Sequence, residues 1–322
     1  MLSFSTDDLR PQDRFDHWCE VRAKALFGVT IELESERRAA FRGRFRARPV
    51  GTAVVSDMQA SSYRISRTAT DIANRPGHSL CISLQIRGPG WLDVGRRPYQ
   101  RIEEGQIVIS HSDMPFQGTP ERTDGFQFRM VKIPLTADLL LDASAADLYP
   151  AHLPHSAPYA RPLAAMFAAL TRSPEEIIAP TASVAHAAHL ALLARGRLSP
   201  RSLEGRLALR AGYLEAAREI MVRDLGRPSL SPATVASELS ISVRQVHVLF
   251  EPTGLSFSRT LMAMRIKEAV RLLHTEPQMP ITAVAFASGF ESLSTFYRAF
   301  QKEHALPPRA QRTTASRPRG SR

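Results

Sequence analysis

Cysteine is scarce in this chain, with only Cys19 and Cys81 in 322 residues. They stand too far apart in sequence to suggest a disulfide framework, and no zinc-type Cys/His spacing accompanies them. Both read as small buried hydrophobes of a reducing compartment. No stretch approaches the ~20 consecutive apolar residues of a membrane-spanning helix. The N-terminal MLSFSTDDLRPQDRFDHW has no basic region followed by an apolar run, so no secretory signal is read there and the expected location is the cytoplasm. Catalytic signatures are missing as well. There is no Gly-x-Ser-x-Gly elbow, no Walker loop and no Gly-x-Gly-x-x-Gly after a strand. Gly88-Pro89-Gly90 alone is a turn. In the β-rich region only His78 and His111 are present, without a His-x-His pair, which disfavours a metal centre. No metal and no cofactor are expected.

Acidic charge is also in deficit. The chain carries 42 Lys+Arg against 31 Asp+Glu, a formal net charge of +11, which points to a polyanionic partner, nucleic acid or an anionic membrane. The excess is uneven: residues 201–322 hold 18 Lys+Arg against 10 Asp+Glu, so +8 of the total lies in the C-terminal third. The length suits about two domains, and a 43% hydrophobic content is enough for two cores.

What is present falls into two textures. Residues 11–27 form an amphipathic stripe opened by Pro11, with Phe15, Trp18, Cys19, Val21, Arg22, Ala25 and Leu26 on or beside one helical face. From Ile31 to Pro134 come short β-favouring runs: Gly43–Arg48, Thr52–Gln59, Tyr63–Arg67, Leu80–Arg87, Gln106–Ser110 and Phe126–Ile133. Turn signals separate them, among them Pro49–Gly51, Asn74–Gly77, Glu103–Gly105 and Gly118–Pro120. Many short strands with regular punctuation predict a β-sandwich or barrel, whose mouth can hold a small ligand. Helical periodicity returns at Pro158–Leu170 and Pro180–Ala194. The broad apolar face of the second helix suits packing on the barrel or pairing with its copy in a symmetric dimer. Residues 196–205 read as a linker, which makes 1–195 the first domain.

The C-terminal part is helical. A long helix over Arg206–Leu225 is closed by Gly226 and Pro228. Ser231-Pro232 opens the next, Ser242 caps Val243–Phe250, and Phe257–His274 is a second long helix. The stretch Ile281–Phe300, ITAVAFASGFESLSTFYRAF, reads as helix, turn, helix. Its inward residues are Ile281, Val284, Ala285, Phe290, Phe296 and Phe300, and Gly289 stands where a tight turn between crossed helices needs a positive φ. Leu293, Ser294, Thr295, Tyr297 and Arg298 fall on or near the outer side. The expected class is α+β: an N-terminal β-barrel with flanking helices, and an all-α domain over 206–312 with two helix-turn-helix units. Residues 313–322, with Arg317, Arg319 and Arg322, read as a basic disordered tail.

Over about 80 residues the C-terminal part resembles the DNA-binding domain of the AraC/XylS family of transcription regulators. The likeness is carried by Ala236, Leu239, Ser242, Arg244, Leu249, Phe250, Gly254, Ser256-Phe257, Arg265, Ala269 and Leu272-Leu273. It continues through Ile281, Val284-Ala285, Gly289-Phe290, Ser292, Phe296, Arg298, Phe300, Pro308 and Arg312. The preceding region resembles the family's cupin-like sensor, in particular that of FeaR-like and NitR-like activators, through Arg14, Trp18, Gly105-Gln106 and Ile133-Pro134. The chain departs from the pattern at several points. Ser240 stands where the family often has glycine in the first turn, and Val248 where relatives often carry arginine. Leu293 offers only apolar contact, and Ala305 and Gln311 replace a glycine and a tyrosine.

The resemblance implies a sequence-specific DNA-binding regulator, an activator and not an enzyme. A small-molecule effector would bind in the N-terminal domain, and a homodimer would meet RNA polymerase at a promoter. It implies DNA contacts from Arg244, Gln245 and His247 on one recognition helix and from Leu293, Ser294, Thr295 and Arg298 on the other. Two such helices suit successive major grooves about 34 Å apart. The alternatives are a β-barrel enzyme fused to a DNA-binding module and a basic protein that coats DNA without sequence preference.

Overall fold

The computed structural model describes residues 1–21, 27–96, 98–140, 147–172, 177 and 179–314, residues 312–314 by backbone alone. They form two compact units, Met1–Gly212 and Tyr213–Arg322. Among the described residues no helix is long and apolar enough to cross a membrane.

The first unit holds twelve strands among the described residues. They are β1 (Leu2–Ser5), β2 (Thr30–Glu32), β3 (Gly43–Val50), β4 (Ala53–Ala60), β5 (Arg64–Arg67) and β6 (Ser79–Arg87). After these come β7 (Gly90–Asp93), β8 (Gln100–Ile102), β9 (Ile107–His111), β10 (Phe116–Pro120), β11 (Phe126–Pro134) and β12 (Ala151–Leu153). They build a seven-stranded sheet, β1-β3-β4-β11-β6-β9-β12, and a five-stranded one, β2-β5-β10-β7-β8. The described pairs are all antiparallel. Short helices interrupt them: α1 (Arg14–Trp18), α2 (Ser35–Arg38), α3 (Ala69–Asn74) and α4 (Ala137–Leu140), followed by the longer α5 (Ala160–Thr171) and α6 (Pro180–Ala194).

Side-chain alternation gives the large sheet two roles. Val131 and Ile133 of β11 join Leu80, Ile82 and Ile109 in a core covered by Leu163, Phe167 and Leu170 of α5 and Leu190 of α6. The other face of β11 carries Phe126, Phe128, Met130 and Lys132 toward the space between the sheets. A second core gathers Phe15, Trp18, Phe41, Phe45 and Tyr63. At one rim of the five-stranded sheet the buried Arg67 collects backbone carbonyls. Its Nε donates to Ser112 O, its Nη1 to Phe27 O and its Nη2 to Arg75 O, at 2.7, 2.7 and 2.8 Å. Asp113 accepts from Arg67 at 3.3 Å, from the Gly77 and His78 amides at 2.7 and 2.9 Å and from the Ser112 hydroxyl at 3.1 Å. Burial by itself would raise the Asp113 carboxyl, but the hydrogen bonds from His78, Gly77 and Ser112 outweigh it and bring it down to about 2.

Helix α7 (Leu203–Arg223) contains the boundary between the two units. Beyond it come α8 (Pro232–Leu239), α9 (Val243–Phe250), α10 (Phe257–Thr275), α11 (Ile281–Ala287), α12 (Leu293–His304) and α13 (Pro308–Thr314). The long α10 is the common support. It packs on α9 near one end, where the Phe250 and Phe257 rings meet edge to face at 5.5 Å, and on α11, α12 and α13. Ile266, Ala269 and Leu273 of α10 form one cluster with Val284, Ala285, Phe290, Phe296 and Phe300. Arg265, also on α10, is 9% exposed and donates to the carbonyls of Leu225 and Arg227 at 3.3 and 2.8 Å.

Several expectations are corrected. The helix expected over 11–27 opens as a 3₁₀ turn at Pro11–Asp13, becomes α-helical only for Arg14–Trp18 and widens into a π turn at Cys19–Val21. Arg22, Ala25 and Leu26 lie outside the described residues. Gly118–Pro120, read as a turn, is part of β10. A Cβ on Gly118 would come within 2.8 Å of Ile65 Cγ2, so close packing of β10 on β5 accounts for the glycine. Helix α6 is buried along Val184, Ala187, Ala188 and Leu190–Leu193 against its own unit, the packing alternative of the two considered. Helix α13 runs to Thr314, into the stretch expected as a tail, and the basic residues Arg317, Arg319 and Arg322 lie outside the described residues.

Two backbone predictions follow from the C-terminal turns. Gly289 has φ +88°, and a Cβ there would sit 2.2 Å from Leu225 O. Gly289→Ala should therefore destabilise the protein by at least about 2 kcal/mol in denaturant titration. Ser240 holds a left-handed conformation at φ 54° without being glycine, so Ser240→Gly should stabilise by about 0.5–1 kcal/mol in the same measurement.

A third prediction concerns Asp113, whose folded value lies below the ordinary 3.8. Its stabilisation is present above that value and is lost as pH falls through about 2. Asp113→Asn should cost about 2 kcal/mol at pH 7, and its stability curve should converge with wild type as pH falls toward 2.

Candidate functional site

Helices α9 and α12, the two expected recognition helices, are built alike. Ser242 precedes α9, and its Oγ accepts from the Gln245 N–H at 3.1 Å, while Gln245 Oε1 accepts back from the Ser242 N–H at 2.8 Å. Ser292 precedes α12, and its Oγ accepts from the Thr295 N–H at 3.3 Å and donates to Thr295 Oγ1 at 3.0 Å. This capping starts α12 at Leu293. From each cap onward the helices correspond residue for residue at a spacing of fifty. Val246 and Phe296 are buried at matching places, as are Phe250 and Phe300. The turns match as well, with Ser240 and Gly289 both left-handed.

This correspondence sorts the seven expected contacts. Arg244 and His247 are exposed, and neither side chain has a hydrogen-bond or ion-pair partner among the described residues. Gln245 is exposed, but its carbonyl oxygen is engaged in the cap. On α12, Ser294 and Arg298 are exposed, and Arg298 Nε donates to Ser294 O at 3.3 Å. Thr295 is half-buried and its hydroxyl belongs to the cap. Leu293 does not project freely, because it is partly buried against the aromatic core of this unit. Tyr297, read as outward but absent from the expected contacts, is 44% exposed at the place that His247 occupies in α9. The fifty-residue spacing is the sequence signal that would have added it. Val248 is half-buried at the counterpart of Arg298. Helix α9 and residues 293–302 of α12 carry no carboxylate, so both outer faces suit a phosphate-lined groove.

The N-terminal unit holds a cavity of about 420 Å³ between its sheets. Met58, Cys81, Ser83, Ser110, Phe128 and Met130 line it from the large sheet, and Ile65, Leu92, Ile102 and Phe116 from the small one. Its size and mostly apolar lining suit a small organic molecule. Burial pushes the Cys81 thiol up to about 11, with the charges of Lys132 and Arg67 opposing less strongly, so the thiol is neutral at pH 7. Burial lowers His111, whose Nδ1 accepts from the Asp113 N–H at 3.0 Å, an arrangement that needs an unprotonated nitrogen. Among the described residues no group of three or more His, Cys, Asp or Glu could hold a metal ion.

Residues 59–192 match the family described as the AraC-like ligand binding domain, and residues 235–314 match a helix-turn-helix domain family. No curated protein matches the chain. Among solved structures it is similar to the AraC-like transcriptional activator CuxR, with 21% identity over 89% of this chain and 99% of that one and a TM-score of 0.48. ToxT from Vibrio cholerae strain SCE256, solved with bound unsaturated fatty acid, shares 13% identity over 84% of this chain and 98% of its own, with a TM-score of 0.34. The DNA-binding domain of AdpA, solved with a target DNA, shares 25% identity over 33% of this chain and 97% of its own, with a TM-score of 0.30. With a ligand-binding domain of the AraC type followed by paired helix-turn-helix units on one supporting helix, the chain belongs to the AraC/XylS family of DNA-binding transcription regulators.

Proposed function

We propose that this regulator reads a DNA site with α9 and α12 together and acts as an activator under the control of a small molecule held between its sheets. One observation carries the reading: two helices fifty residues apart, capped in the same way, hold matching outward positions free of carboxylates. Arg244, His247, Ser294 and Arg298 are the projecting contacts, joined by Tyr297. Gln245, Thr295 and Leu293 complete the face, the first two as cap residues that also lie beside the groove. In this reading the protein is a cytoplasmic homodimer of the FeaR-like or NitR-like type that contacts RNA polymerase and catalyses no reaction. Residues 1–195 serve as the sensor, 196–205 as linker and 206–312 as the DNA-binding domain. Regulation is linkage: an effector that binds one arrangement of the sensor more tightly shifts the protein toward that arrangement and its DNA affinity.

The test begins by selecting a binding site from a random duplex pool with the full-length protein. Anisotropy titration at fixed salt then compares the selected duplex with a random one. Arg298→Ala should weaken binding to the selected duplex by more than ~1 kcal/mol and leave the melting curve nearly unchanged. An equal loss of fold and binding would make Arg298 structural. Similar affinity for selected and random duplexes would favour the non-specific coating reading.

A further inference from the structure

The cavity between the sheets is apolar over most of its surface but has one charged corner. Lys132 projects into it from β11, and its ammonium has no hydrogen-bond or ion-pair partner among the described residues. The register places Lys132 directly opposite Cys81 on β6, and Cys81 opposite Ser110 on β9. These three side chains form a rank across adjacent strands on the face that lines the cavity, so their Cβ atoms lie about 5 Å from neighbour to neighbour. The influence of the Lys132 charge on the Cys81 thiol agrees with this placement. Along β11 from Lys132 come Met130, Phe128 and Phe126 on the same face, an apolar track about 13 Å long.

Among the described residues no Asp or Glu lines the cavity, whereas Lys132, Arg67 and Arg75 do. Arg67 is committed, its guanidinium bound to backbone carbonyls and to Asp113, and Arg75 also has an interaction of its own. Lys132 therefore remains as a cation with an unanswered demand for an anion, beside a hydroxyl that can donate and a thiol that is neutral. A cation in such a setting gains most from a ligand that brings both the negative charge and the hydrogen-bond acceptors.

We propose that the effector is an organic anion, with one carboxylate-like head group bound by Lys132 and Ser110 and an apolar body lying over Met130 and Phe128. This rests on the cavity being the effector site. The reading concerns only the chemical class, since a carboxylate and a sulfonate would satisfy Lys132 alike.

Two dyes of one skeleton test it, 8-anilinonaphthalene-1-sulfonate and its uncharged parent N-phenyl-1-naphthylamine, titrated by fluorescence into the full-length protein. Lys132→Met should weaken the sulfonate by roughly tenfold or more while moving the parent by less than about twofold. Lys132→Arg should retain sulfonate binding, and Lys132→Gln serves as the neutral variant if the methionine protein does not fold. Ser83→Trp, which fills the cavity floor, should abolish both dyes. If Ser83→Trp removes both dyes but neutralising Lys132 spares the sulfonate, the anion proposal fails and the cavity reading stands. If Ser83→Trp leaves both dyes bound as before, they sit elsewhere, and the cavity reading falls along with the proposal.

Discussion

The guanidinium of Arg265 is the point on which the DNA-binding unit is hung. A cation that is nearly withdrawn from water must be answered by hydrogen bonds, and the carbonyls of Leu225 and Arg227 answer it. Those carbonyls follow the end of α7, where backbone acceptors have lost their helical partners. One side chain thus resolves two deficits. Gly289 must then pass close by, 2.8 Å from Arg265 Nε even for a notional Cβ, and no residue with a side chain fits. The orientation of α12 follows from this closure, because the turn at Gly289 leads directly into Phe290 and the Ser292 cap. Ser294, Tyr297 and Arg298 point outward because Phe296 and Phe300 are held inward against α10.

The N-terminal unit uses the same chemistry at a different place. Arg67 gathers the carbonyls of Phe27, Ser112 and Arg75, and Asp113 anchors the group from the other side. Arg195, just after α6, donates to the carbonyls of Ile109 and Tyr149 at 2.8 and 3.0 Å. In each case a long cationic side chain answers backbone carbonyls from separate chain segments. Arginine suits this work because its fixed fork of donors satisfies several carbonyls at once without being titrated. The high arginine content therefore has an internal use in addition to its attraction for DNA.

Sequence pattern was most informative where one physical rule operated alone. The caps at Ser231 and Ser242 and the inward spacing of Phe296 and Phe300 located the helices closely. The left-handed turns at Ser240 and Ala305 stand where glycine was missed from the family pattern. Legibility failed where two rules competed. Gly118 and Pro120 have turn chemistry, yet packing against Ile65 holds them in a strand. Strands β1, β2 and β12 span three or four residues, too few for alternation to register. The cavity was illegible for a more specific reason. On β11 the odd residues Val131 and Ile133 face the helices and the even residues Phe128 and Met130 face the cavity, so both faces are apolar and no period of two marks the lining.

The correspondence between α9 and α12 also shows that the two helices are not copies. Arg244 occupies the second position of α9, where α12 has Ser294. Arg298 occupies the sixth position of α12, where α9 has the half-buried Val248. Four helical residues separate those positions, about 6 Å along the axis. In the proposed reading each head thus brings one arginine to DNA at a different depth along its helix, and the rest of each face offers uncharged hydrogen-bonding groups. A protein that only coated phosphate would gain nothing from such an offset, since non-specific attraction depends on the number of cations and hardly on their register. Two singly charged heads placed out of register on one rigid support favour base-by-base discrimination over general affinity, which is the economy expected of a regulator that must find one site among many.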